Sequence, residues 1–238
     1  MGYIRITSFQ EHTTDELSKT LESLEKKSKN HLRGVILDLR NNPGGLLDEA
    51  IRVSNLFLDS GTIVTTVSRN KEIDRKSVST EGVKYHFPLV VLVNGGSASA
   101  AEIVAGALQD HKRAKLLGTQ TFGKGSVQTI FDLGDGTGLK LTIAKYYTPN
   151  GRSIQAEGIT PDVIVAAKPK KSSREKEDSW LREKDLKGHL EPENKNHKKA
   201  STPKRDVEEA GPETSVSKNT QEEDYQKIKA LEYLHKLL

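Results

Sequence analysis

The stretch "PLVVLVNGGSASAAEIVAGAL", from Pro88 to Leu108, decides the fold. Its first six residues form a short continuous apolar run, the pattern of a strand buried on both faces. Two glycines then break the chain. Two serines and a run of small residues follow and open a helix that can pack closely on a sheet. Ser99 and Glu102 have the S-x-x-E spacing of a capping box, so one reading of Ser99 is a helix cap. The other is a nucleophile, because a helix N-terminus after glycines offers free N–H groups and a favourable dipole. A strand–glycine turn–helix unit is also half of a parallel crossover, and the rest of the chain must supply its neighbours.

Upstream, "GYIRI" alternates like a strand, and Thr13 to Lys29 carries Leu17, Leu21 and Leu24 on one helical face. "GVILDL" is a second buried run, "RNNPGG" breaks it, and "LLDEAIRVSNLFL" resumes helical spacing. "TIVTTV" reads as a strand. Ser68 to His86 is polar without a firm period, a hairpin or a surface loop. Downstream, "AKLLG" is strand-like, and "SVQTIFDLGDGTGLKLTIAKYYTP" reads as a hairpin around "GDGTG". "GITPDVIV" is a last extended piece. The order strand–helix–strand–helix–strand–strand–helix followed by hairpins predicts an α/β fold with a mostly parallel central sheet. Both glycine-rich breaks, Asn41 to Gly45 and Asn94 to Ser99, then fall at the carboxyl edge of that sheet and can face one another.

The chain has 238 residues, of which 34% are hydrophobic, low for a fully packed chain of this length. The deficit lies in the tail. Residues 1–167 read as a globular core. Residues 168–220, dense in Lys, Glu, Ser, Asn and Pro, read as a polar, disordered linker, with Trp180 and Leu181 a local docking point. Residues 221–238 read as an amphipathic helix, with Tyr225, Ile228, Leu231, Leu234 and Leu238 at helical spacing. That stripe suits either dimer contacts or packing on the chain's own core.

Net charge is +4 and aromatics are 5%, with Lys and Arg interleaved among acids, which argues against nucleic-acid binding. The absence of cysteine excludes disulfides, thiolate metal sites and a cysteine nucleophile, and fits an oxidising compartment. No apolar run is long enough to span a bilayer, and the first residues do not read as a signal peptide.

A serine nucleophile needs a base and backbone donors for the oxyanion. "NNPGG" at the same sheet edge offers a second N–H. None of the seven histidines sits in a glycine-bounded loop at that edge, and His111 in "QDHKRAK" reads as a polar helix end. Ser–Lys pairs are the alternative, since burial disfavours the ammonium and leaves a basic amine. Lys124, between Gly123 and Gly125 in "TFGKGSVQ", is the candidate; the bland reading is a lysine in an ordinary turn. A phosphate loop fits less well: Gly118 has the right spacing, but Gly125 stands where Ser or Thr should follow the lysine.

Taken together, "NGGSASAAEIVAGALQDHKRAKLLGTQTFGKGSVQ" and "LDLRNNPGG" closely resemble the core of the carboxyl-terminal processing peptidases, the tail-specific proteases with a Ser–Lys dyad. The resemblance runs from Gly2 to about Val165, and the final helix resembles the family's closing helix. It implies a crotonase-like or Clp-protease-like α/β core and no metal or organic cofactor. In that family the nucleophile is the second serine of the S-A-S-A-x-E run and the base lies 25 residues later, which selects Ser99 over Ser97 and pairs it with Lys124. It implies that Gln128 helps position the lysine. It implies oxyanion donors at Ala100 and a loop glycine, Gly45 in preference to Gly44. Asp38 and Arg40 flank the loop and suit a structural salt bridge.

The resemblance further implies protein or peptide substrates with accessible C-termini and a periplasmic or otherwise extracytoplasmic location. Family members usually carry a PDZ domain and a helical segment before the core, and this sequence begins where the core resumes after them. Two rival readings remain at this stage. One is a silent core acting as a peptide-binding or assembly module; a homodimer is open under any of the readings. The other is a crotonase-like acyl-CoA enzyme, for which no CoA pocket is legible.

Overall fold

A computed structural model describes residues 1–29, 31–77, 84–134, 136–167, 181–190 and 224–238. Five strands form one wholly parallel sheet in the order β1–β2–β5–β6–β9: β1 Gly2–Arg5, β2 Val35–Asp38, β5 Leu89–Val93, β6 Lys115–Gly118 and β9 Val163–Ile164. Four more form an antiparallel sheet in the order β4–β3–β8–β7: β3 Thr62–Ser68, β4 Ile73–Ser77, β7 Ser126–Asp132 and β8 Gly138–Tyr147. The α/β architecture expected from the strand–helix alternation is therefore present, with the hairpins gathered in their own sheet.

The continuous apolar runs have a direct cause. Val35, Leu37, Leu89, Val91 and Val93 point into one core cluster, shared with α1 Thr13–Lys27, α2 Leu47–Asn55 and α3 Ala100–Asp110. Their neighbours Ile36, Val90 and Leu92 point the other way, onto Ala230 and Leu234 of α4 Tyr225–Lys236. A sheet covered on both faces has no polar side, so the alternation vanishes from the sequence. β4 is the opposite case. It is an edge strand in which Ile73, Asp74 and Arg75 are exposed, and a single isoleucine among polar residues gives no apolar signal.

The terminal helix packs on its own sheet through a stripe that overlaps the expected one at Leu234 and the partly buried Tyr225 and is otherwise shifted. Gln226, Ala230 and Leu234 are buried, whereas Leu231 and Leu238 are exposed. A polar residue lies on the buried face because its hydrogen bonds are made. Gln226 Nε2 donates to Val165 O at 2.7 Å, and its Oε1 accepts from Arg40 Nη1 at 3.1 Å.

Part of the stretch read as linker also lies on the core. Leu181–Leu190 contains a short 3-10 turn, Glu183–Asp185, and bonds to the globular part. The remainder of that stretch, with Trp180, lies outside the described residues. Among the described residues no helix is long and apolar enough to cross a membrane.

Candidate active site

β2 and β5 are parallel neighbours, so the loops after them leave the same sheet edge side by side. Side-chain amides then knit the loops together. Asn94 Oδ1 accepts from Asn41 N–H at 2.9 Å, and Asn94 Nδ2 donates to Asn41 Oδ1 at 2.9 Å. Ala98 N–H donates to Asn42 O at 2.9 Å. The contact is closest at Gly44, which has φ +98°. A Cβ there would lie 2.8 Å from Ser99 Cβ and 2.9 Å from Ala100 N, so only glycine lets the loop reach the serine.

The two serines are sharply distinguished. Ser97 is fully buried, and its hydroxyl donates to Leu39 O at 2.7 Å while accepting from Asn94 N–H at 3.0 Å. It fastens one loop to the other. Ser99 is partly exposed, with φ 55° and ψ −116°. A helix cap normally has extended backbone, and this is a sparsely populated conformation costing about 1–3 kcal/mol. Ser99 is nonetheless the N-cap of α3: its N–H donates to Glu102 Oε2 at 2.9 Å, the reciprocal half of the expected capping box, while Glu102 N–H donates to the Ser99 carbonyl at 2.9 Å.

The N–H groups around Ser99 divide clearly. Gly44 N–H is taken by Asn42 Oδ1 at 2.8 Å. Gly45, exposed and at φ +143°, is held by a parallel bridge to Phe9. Among the described residues the N–H groups of Gly45 and Ala100 have no hydrogen-bond partner.

Lys124 is brought to the serine by backbone. Phe122 N–H donates to Ser97 O at 3.0 Å. Glu102 does the rest from a fully buried position. Its Oε2 accepts from Ser99 N–H and Lys124 N–H, each at 2.9 Å. Its Oε1 accepts from Gly123 N–H at 2.8 Å and the Thr121 hydroxyl at 2.5 Å. The two nitrogens on Oε2 are thus at most twice 2.9 Å apart. Burial outweighs these donors and pushes the carboxyl from 4.5 up to about 7. The Ser99 hydroxyl and the Lys124 ammonium make no hydrogen bond with each other. Gln128 is exposed on β7, and its Nε2 donates to Thr142 Oγ1 on β8 at 3.4 Å.

His111 sits at the far end of α3, about 18 Å of helix from Ser99, with Nε2 2.7 Å from Thr62 O. The expected Asp38–Arg40 bridge forms, Nη2 to Oδ2 at 2.7 Å. It is larger than the sequence suggested. Tyr3 OH donates to Asp38 Oδ2 at 2.6 Å, and Asp224 at the start of α4 joins Arg40 at 2.5 Å. Desolvation, and then the carboxylate, push the Tyr3 phenol up to about 12. The paired carboxylates hold the Arg40 guanidinium charged against its own burial. Among the described residues no group of three or more His, Asp or Glu could hold a metal ion.

Sequence reasoning placed Glu102 only as a capping partner and did not single out Thr121 or Asn94. The S-x-x-E spacing was the one available signal for Glu102. It does not show that the carboxylate reaches a turn some twenty residues on.

A serine presented on a strained turn, beside free backbone N–H groups and a glycine-flanked lysine, is the layout of an acyl-transfer site. The family model described as Peptidase family S41 matches residues 1–165, and the chain belongs to that family. The carboxy-terminal-processing protease of Bartonella bacilliformis is 48% identical over 192 residues, covering 80% of this chain and 44% of that protein. The carboxyl-terminal-processing protease of Synechocystis sp. is 47% identical over 165 residues, covering 69% and 38%. Among solved structures, the photosystem II D1 C-terminal processing protease superposes with a TM-score of 0.63 at 40% identity, covering 68% of this chain and 42% of that one. The chain thus spans less than half the length of these relatives.

Proposed function

We propose that the chain forms the catalytic core of a carboxyl-terminal processing serine peptidase working through a Ser99–Lys124 dyad. The observation that carries this reading is the Glu102 carboxylate, which binds the backbone of the serine and of the lysine on a single oxygen. The loops after β5 and β6 already leave the sheet side by side, and the carboxylate ties them together where a nucleophile and a base would have to be.

In this reading neutral Lys124 accepts the Ser99 Oγ proton as Oγ attacks the peptide carbonyl carbon. The carbonyl oxygen takes up negative charge facing the N–H groups of Gly45 and Ala100, which are free to receive it. Protonated Lys124 gives its proton to the leaving amine as the C–N bond breaks. A water then loses a proton to Lys124 and attacks the acyl ester. Collapse of that adduct returns the proton to Ser99 Oγ and releases a new carboxylate. Gln128 engages the lysine only if its amide turns away from Thr142. The substrates are proteins with accessible C-termini, and the site of action is extracytoplasmic, as the family resemblance implies.

The test is hydrolysis of an unstructured protein with an apolar C-terminus by the wild type, Ser99→Ala and Lys124→Ala, with folding followed by circular dichroism. Cleavage by the wild type alone supports the dyad. Equal cleavage by all three removes it. No cleavage by any folded form favours a binding module.

A further inference from the structure

Ten residues beyond the matched family domain lie against the turn that carries Lys124. Glu183 N–H donates to Phe122 O at 3.1 Å, two residues before the lysine. Gln155, fully buried, stands between the segment and the turn. Its Oε1 accepts from Gly125 N–H at 3.0 Å, one residue after the lysine. Its Nε2 donates to Glu183 Oε1 at 3.0 Å and Leu190 O at 3.1 Å. Arg182 Nη2 donates to Glu157 O at 3.1 Å.

A buried side-chain amide is stable only when both ends are satisfied. Here the core satisfies the oxygen and the tail segment satisfies the nitrogen. Without the segment, the Gln155 NH₂ group would lose both partners and turn toward water. Its oxygen would then leave Gly125. Backbone crowding makes this junction unforgiving, since a Cβ on Gly125 would lie 2.3 Å from Gln155 N.

We propose that Leu181–Leu190 is a strap that completes the site, locking Gln155 and through it the Gly123–Gly125 turn, which makes Gln155 a positioning residue for the base. The proposal rests on Lys124 being that base. Both the strap and Gln155 hold the turn that carries Lys124, so loosening them should act on turnover and not on binding.

Two variants open the strap without adding bulk to the core. Glu183→Pro removes the N–H that reaches Phe122 and the carboxylate that reaches Gln155. The local backbone accepts it, because Arg182 is already extended at φ −118° and ψ 161° and Glu183 opens the 3-10 turn. Gln155→Glu keeps an oxygen for Gly125 N–H, loses both donors and faces the Glu183 carboxylate. The double variant Gln155→Glu/Glu183→Gln restores the contact between positions 155 and 183 with donor and acceptor exchanged, and leaves Leu190 O without its donor.

Amide hydrogen exchange and steady-state kinetics are measured on the full chain. In both single variants the Gly125 amide should exchange at least about tenfold faster, with α3 and β5 protection unchanged. The kcat should fall about 10- to 100-fold with KM within about twofold. The double variant should recover part of both effects relative to Gln155→Glu. Unchanged Gly125 exchange in Glu183→Pro overturns the strap whether or not the wild type turns over, as does a double variant no better than Gln155→Glu. If instead Ser99→Ala and Lys124→Ala keep wild-type activity, it is the dyad that fails.

Discussion

Replacing Glu102 by glutamine removes the buried carboxyl at the junction of the two candidate catalytic turns while keeping its shape. Burial holds the carboxyl at about 7, against an ordinary 4.5. At 1.36 kcal/mol for each pH unit that displacement corresponds to about 3 kcal/mol. The sign follows from the direction. The folded value is raised, so the group favours folding while protonated. Its contribution is fully present below about 4.5 and is lost as pH rises through about 7. Glutamine cannot titrate. The stability of the wild type minus that of Glu102→Gln should therefore fall by about 2–3 kcal/mol between pH 5 and pH 8. Every other titrating group cancels in the difference.

A constant offset accompanies the slope. Each Glu102 oxygen holds two donors, so an amide nitrogen on either side meets an N–H. One orphaned buried donor costs about 1–3 kcal/mol. The assay is urea unfolding of both proteins at pH 5, 6, 7 and 8, with the m-values compared to confirm the same transition. Parallel stability curves across that range would falsify the account of Glu102 as a carboxyl raised by burial.

Gly44→Ala should abolish turnover, by at least about 100-fold, because its Cβ would strike Ser99 Cβ and the Ala100 nitrogen. Gly134→Ala, also at positive φ but with nothing within 4 Å, should cost about 1–2 kcal/mol and leave kcat alone. Similar kinetics in the two variants would refute the close-approach argument. Leu234→Ala empties a buried position over the sheet, where Leu234 also abuts Gly34. Chemical denaturation should show a loss of about 2–5 kcal/mol. A change under about 0.5 kcal/mol would mean that α4 contributes nothing to the core.

Much of this protein was legible before folding. Apolar runs such as Val35–Asp38 and Leu89–Val93 announce buried strands. The spacing of Leu17 and Leu21 announces a helix, and each glycine break announces a sheet-edge loop. The family motif directed attention to Ser99 and Lys124. Such signals are local: they depend on periodicity and on conformations that near neighbours allow.

The remainder was decided across long stretches of chain. That Ser97 fastens two loops while Ser99 stays partly exposed follows from the carbonyl of Leu39, 58 residues away. The buried stripe of α4 is set by Val165 and Arg40, which let a glutamine face the sheet. Glu102 is a capping partner in sequence and in the fold, and becomes a hub only when the turn at Gly123 and Lys124 arrives beside it. Leu181–Leu190 carries no apolar pattern, and its contacts with the core run through backbone groups and two polar side chains. A hydrogen bond leaves no periodic trace in a sequence, because either partner can be a peptide group that every residue carries. The sequence by itself determined the elements and the chemistry at hand. Only the tertiary structure decided which polar groups meet, and so which residues hold the site together.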